Sequence, residues 1–385
     1  MIAYNSEWLG NLLVREQADK AADSNYISRI EKDQVYAAYP VQFYTPNFFV
    51  RIGLFILTCV IVFFSLGLVS LLFLDHLDQI GVLFVFFGLV ILGALEFMVN
   101  KGHYKSGVDD ALMWMGAGSI IGGLNGLMDI SSTANAIIIF VVALFLFLRF
   151  CNTIMAGIAA LAFLAIVFLV SIQLGSLAKA ITPFVVMITS ALVYFFVKQQ
   201  IKNPKNKYYA NGLLMISVIA LVCFYAAGNF YVVREASIAL LNMDLKGGET
   251  IPLGWLFWIF TIIIPLLYMA RGIQKKEAVL LRTGLLLVAA IVFTFRYYYH
   301  VMPAEVAMLT GGIVFIALAY ALIKYLHEPK YGFTYRQQND LFFMDKLTVE
   351  SLVIAQTFSG PQLPTDTGTQ FGGGSGGGGG ASGEF

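Results

Sequence analysis

The sequence predicts an all-α polytopic membrane protein with about ten transmembrane helices and both termini on the cytoplasmic side. Three observations carry that expectation. Hydrophobic residues make up 59% of the 385 and charged residues 12%, with a mean hydropathy of +0.78, too little charge to cover a water-facing surface of this size. Apolar runs close to the ~20 residues a bilayer crossing requires recur along the chain. Lysine and arginine fall on alternate loops between those runs, as cytoplasmic retention of basic side chains dictates.

Residues 1–47 read as a cytoplasmic helical hairpin. In "NSEWLGNLLVREQADKAA", Trp8, Leu9, Leu12, Leu13 and Ala18 form one stripe. A second helix starts near Asp23 and Ser24, both N-cap types, and runs to Pro40. Residues 48–326 form the transmembrane domain, with runs at roughly 50–74, 80–99, 109–128, 133–149, 152–173, 180–197, 208–230, 253–270, 278–299 and 304–326. The stretch from Ala136 to Ile172 is punctuated only by Arg149 and Asn152. As one helix it would reach about 55 Å, nearly twice the hydrocarbon thickness, so it is read as two helices in a tight hairpin. With ten crossings and a cytoplasmic N-terminus, nineteen of the 24 Lys and Arg fall inside. Lys179, Arg234, Lys246 and Arg296 fall outside, and Arg282 sits within the ninth run.

Four returns into the apolar region share a polar residue followed by an early glycine: Asp110, Asn152, Asn211 and Arg282. They suggest four two-helix units between a first and a last single helix. The third run carries Gly118, Gly122 and Gly126, a spacing that lets a neighbouring helix approach closely, and is expected to be a packing seam. The long external loop, 231–251, contains an amphipathic stretch suited to the membrane interface, followed by Trp255 and Trp258 of an aromatic belt. Residues 327–359 return to mixed polarity with a short amphipathic helix. Residues 360–385 are a flexible Pro/Gly-rich tail with a reach of about 21 Å over its last fifteen residues. Phe371 and Phe385 are the tail's candidate partner-binding groups. The tail reads either as a native end, for which the polar lead-in from Gly360 to Gln370 argues, or as a cloning-derived linker, for which "EF" after a Gly/Ser run argues.

Chemistry-bearing groups are sparse. Cys59, Cys151 and Cys223 lie in apolar runs at spacings that fit no zinc pattern. No catalytic motif, phosphate loop or metal-spaced histidine set occurs, so no enzyme activity, cofactor or metal is expected. A net charge of +1 gives no field for nucleic acid. The first residues lack a basic n-region and an h-region, so no cleaved signal peptide is expected. Glu96, near the cytoplasmic end of the second run, is expected to snorkel or pair with Lys101 or Lys105. The densest polar-aromatic cluster is "FRYYYHVMPAE", where Arg296, Tyr298, His300 and Glu305 form either an external anion or proton-sensitive site, or a salt-bridged aromatic belt.

"VYAAYP" ahead of "FFVRIGLFILTCVIVF", together with "RTGLLLVAAIVFTFRYYYHVMPAEVAMLTGGIVFIALAYALIKYL", resembles a large family of bacterial inner-membrane proteins catalogued as a domain of unknown function. Its members pair an N-terminal helical region with many spans and a late Tyr-Tyr hairpin. The resemblance implies fold and location alone. The functional expectation is a non-catalytic scaffold or assembly protein in a lipid bilayer, with a protein partner at its cytoplasmic face or tail. The alternative is a permease for a small solute.

Overall fold

In the computed structural model the described residues are 2–23, 26–71, 80–175, 178–241, 251–299 and isolated positions between Val306 and Lys324. Their regular structure is helical, apart from one isolated bridge between Tyr44 and His103. Two short helices come first, α1 (Ser6–Asp23) and α2 (Arg29–Ala38). The long helices that follow are α3 (Phe48–Leu71), α4 (Ile80–Asn100), α5 (Val108–Leu127), α6 (Ser132–Phe150), α7 (Thr153–Ile172) and α8 (Ala178–Ile201). A 3₁₀ turn, Pro204–Tyr209, leads into α9 (Ala210–Gly228), and α10 (Phe230–Leu241), α11 (Gly254–Lys275) and α12 (Ala278–Tyr299) complete the set. Eight of these helices, α3, α4, α6 to α9, α11 and α12, are long and apolar enough to cross a membrane. The chain is a polytopic membrane protein.

The outward surface shows why. On α3 only Val62 is buried, while Phe49, Ile56, Phe63, Phe64 and Leu68 are exposed. So continuous an apolar face is stable against hydrocarbon and not against water. The helix α5 stands apart from the eight. Its aspartates and glycines lower its hydropathy, yet it follows α4 along its length, from Gly81 beside Leu127 to Leu92 beside Gly116. It also packs on α3 and α6. Packed on three helices, it leaves less of its own surface to the surroundings.

The tight hairpin at Arg149–Asn152 is present. Phe150 ends α6, Cys151 takes a left-handed conformation (φ 51°), and the Asn152 side chain caps α7 by accepting from the backbone N–H groups of Ile154 and Met155 at 2.9 and 3.1 Å. The heaviest helix pairings are α4 with α5, α6 with α7, α8 with α9, and α11 with α12, which are the four two-helix units read from the sequence. The units join mainly through α7 against α8 and α9.

Some boundaries differ from expectation. Asp23 ends α1 rather than starting α2, and the cap is Ser28, in a capping box with Glu31. The S-x-x-E spacing satisfies two backbone donors at once, which a lone Asp or Ser does not. The seventh run is not one helix to residue 230. It breaks at Asn229, and the expected amphipathic stretch is α10. Most of the tenth run (304–326), the 327–359 segment with its short helix and the 360–385 tail lie outside the described residues.

Candidate functional site

The most elaborate constellation lies where the N-terminal segment meets the helix ends. Asn5 caps α1 through its side-chain oxygen, which accepts from Glu7 and Trp8 N–H. That turn sends Tyr4 inward, to 6% exposure, among the rings of Phe43, Tyr104 and Phe150, with centroids 6.0, 5.0 and 6.4 Å away. Trp8 packs edge-on to Phe43 at 5.2 Å. Backbone ties fix the arrangement: Ala3 N–H donates to the Arg149 carbonyl at 2.9 Å, and Tyr44 N–H to that of Gly102 at 2.9 Å. The Tyr208 hydroxyl donates to the Ser6 carbonyl at 3.0 Å. The N-terminal segment therefore touches the α4–α5 connection, the α6–α7 connection and the turn before α9, so all three lie on one face of the bundle.

Charges below this layer are paired. Asp109 is 2% exposed, and its carboxylate accepts from the backbone N–H groups of Lys105, Ser106 and Gly107 and from the Ser106 hydroxyl, at 2.7 to 3.1 Å. The turn needs Gly107, whose φ is 91° and whose place a Cβ would bring to 2.2 Å from the Arg51 carbonyl oxygen. Asp110 binds the Arg51 guanidinium and accepts from the Asn152 amide. The two adjacent aspartates thus serve different partners, as their separation of about 100° around the helix requires. Glu96 pairs in two-pronged fashion with Arg149 of α6, at 2.6 and 3.0 Å, and not with Lys101 or Lys105. Lys101 lies five residues on from Glu96, a rotation of about 140°, and so points elsewhere. Burial, then the Asp109 and neighbouring charges, pushes the Tyr4 phenol far above the ordinary tyrosine value. Burial pushes the Cys151 thiol up to about 11, which keeps it protonated and unreactive at neutral pH.

On this base α1 carries α2. The Arg15 guanidinium donates to the carbonyls of Tyr39 and Tyr36 and stacks over the Tyr36 ring at 4.6 Å. Tyr36 donates to Asp19, and Lys32 pairs with Asp19 at 2.7 Å. No residue of α2 is buried. Ile30 is 71% exposed, and Tyr26, just ahead of the helix, is 80% exposed.

The expected packing seam is displaced. Among the described residues nothing lies within 4 Å of a Cβ placed on Gly118 or Gly122, and one on Gly126 would make only an ordinary contact with Gly81 at 3.8 Å. The close approach runs through Gly116 and Gly123 of α5 against Gly88 and Gly81 of α4. A Cβ on Gly123 would sit 2.7 Å from the Gly81 carbonyl oxygen and the Val85 nitrogen. Gly118 is two residues from Gly116, about 200° around the helix, so the four-residue spacing marked the wrong face.

At the opposite end of the bundle, Tyr298 packs in a ring cluster with Phe230 at 5.3 Å, Tyr231 at 6.4 Å and Trp258 at 5.7 Å. The cation over its face, at 5.7 Å, is Arg234, which also pairs with Glu235. Arg296 is half-buried, and His300, Glu305, Phe371 and Phe385 lie outside the described residues. Sequence reasoning missed Asn229 here. It is 1% exposed, donates to Tyr225 and Thr294, and accepts from Val232 N–H. Thr261 of α11 accepts from Phe230 N–H, so the broken backbone is satisfied where α9 gives way to α10. The break follows nineteen helical residues, about 28 Å, which puts it at the far end of the crossing.

The three described cysteines are free, and no group of metal-ligating side chains occurs among the described residues. No protein-family model, curated protein or solved structure matches the chain.

Proposed function

We propose that this chain is a non-catalytic scaffold of a bacterial inner membrane. Both of its ends lie in the cytoplasm, and it presents the α1–α2 hairpin to a protein partner. One observation carries the reading: α1 and its flanking segments are tied to three helix connections by buried rings and backbone bonds, while α2 rides on α1 and keeps its outer face free. A hairpin serving only to seal the helix ends would bury its second helix too. The cytoplasmic placement of this face rests on charge, since it carries Arg51, Lys101, Lys105 and Arg149 near the helix ends.

The test is a photo-crosslinking residue at position 30, compared with one at Leu9, which is buried against the bundle. The scaffold reading expects one discrete adduct with a second protein species from position 30 in intact cells, and none from position 9. It expects the Ile30→Glu variant to lose the association while the protein stays folded. An unmodified chain at position 30, joined to a solute flux that depends on the protein, would replace the scaffold with the permease.

A further inference from the structure

A second region, unconnected with the hairpin, is hollow. Between α8, α9 and α11 lies a cavity of about 590 Å³ that opens sideways on the surface of the bundle. Small residues hollow it: Ala191 on α8 and the fully buried Ala220 on α9 form part of its lining. Exposed Phe195 and Leu267 border it and face outward, where hydrocarbon surrounds the helices. Its lining on α8 runs from Met187 to Lys198, eleven helical steps or about 16 Å. That is close to the ~15 Å of hydrocarbon in one leaflet.

The chemistry changes at one end. Lys198 near the end of α8 and Arg271 and Lys275 near the end of α11 border the same cavity. The Glu277 carboxylate accepts from Lys198 and from the Tyr194 hydroxyl, so one positive charge is answered internally. Among the described residues no ion pair involves Arg271 or Lys275, both exposed. An apolar trough one leaflet deep, ending in two cations with no ion pair among the described residues, matches one class of molecule.

We infer that this cavity is a binding site for an anionic phospholipid of the surrounding bilayer. One acyl chain lies along α8 and α11, and the phosphate sits between Arg271 and Lys275. A zwitterionic lipid of the same chain length gains the apolar contact but brings its own cation to the mouth. Free phosphate has no chain to fill the trough. Basic residues near a membrane surface contribute about fivefold each to anionic lipid binding, so removing both is expected to weaken binding roughly 25-fold.

The experiment reconstitutes the full chain in phosphatidylcholine vesicles with a trace of photoactivatable phosphatidylglycerol, and separately of photoactivatable phosphatidylcholine, and maps adducts by peptide mass spectrometry. The expected result is phosphatidylglycerol adducts concentrated on residues 187–198 and 260–275, displaced by unlabelled phosphatidylglycerol and not by phosphatidylcholine or inorganic phosphate. Combined Arg271→Ala and Lys275→Ala should weaken that labelling by the stated factor. Ala191→Trp, which fills the trough at a partly exposed position, should abolish it without lowering thermal stability. Equal labelling by both lipids, displacement by phosphate alone, or labelling indifferent to both variants would overturn the assignment.

Discussion

The α4–α5 pair closes backbone to backbone, whereas the α8–α9–α11 group leaves a trough. In the first, Gly81 and Gly88 meet Gly123 and Gly116, each pair seven residues apart, so the same face of each helix returns to the contact after two turns. In the second, Ala191 and Ala220 are small, and Phe195, Phe224 and Leu267 stand with them around the open space between the α8–α9 pair and α11. In the seam, Leu92, Ile120 and Leu127 also fill in directly against the glycines, whereas around the trough the space beside the alanines stays open.

The comparison breaks first at Gly123. Gly123→Ala places a methyl 2.7 Å from backbone atoms of α4 that cannot swing away, and should cost about 3 kcal/mol. Thermal unfolding in detergent, followed by size-exclusion chromatography, checks it. Gly118→Ala and Gly122→Ala, on open faces, should leave the midpoint unchanged. Equal losses at all three sites would mean that the seam is not where the close contacts place it.

Next comes the turn that feeds the seam. Asp109→Ala strands three backbone donors and the Ser106 hydroxyl in a buried site, an expected loss of about 2 kcal/mol by the same assay. In the hollow region the sign reverses. The Ser190 hydroxyl is fully buried beside the trough with no hydrogen-bond partner among the described residues, so Ser190→Ala should be neutral or stabilising by about 1 kcal/mol. A clear loss there would reveal a partner for the hydroxyl.

The smallest effect lies on the exposed hairpin. Hydrogen bonds from Ser28 hold the Glu31 carboxyl below the usual glutamate value. A depressed folded-state value means the cap contributes above the unfolded pKa and is lost as pH falls through the folded one. Titrating the Glu31 side chain by NMR should give a midpoint below that of an ordinary glutamate, and Ser28→Ala, which removes the hydroxyl but keeps the backbone N–H, should raise it only part of the way back. An unshifted midpoint in the native chain would remove the capping box.

How far the sequence could be read follows from these cases. The split at Arg149–Asn152 was legible because helix length against bilayer thickness is a constraint on one segment alone. The four hairpin pairs were legible because short connections force neighbours together. The seam was not, since four-residue spacing is present on α5 but the contact depends on which face α4 meets. Glu96 was assigned to its sequence neighbours, whereas its partner Arg149 is 53 residues away on another helix.

By itself the sequence determined the membrane class, the placement of the eight described helices long and apolar enough to cross a bilayer and the existence of a polar helical hairpin ahead of them. Each is a sum over one segment's transfer energy, charge or capping groups. Only the tertiary structure decided which glycines touch, which acid meets which base, that Tyr4 anchors the hairpin, and that a basic-mouthed trough opens beside α8. Those are properties of pairs of faces, and the rotation of one helix against another is settled by packing that no single segment encodes.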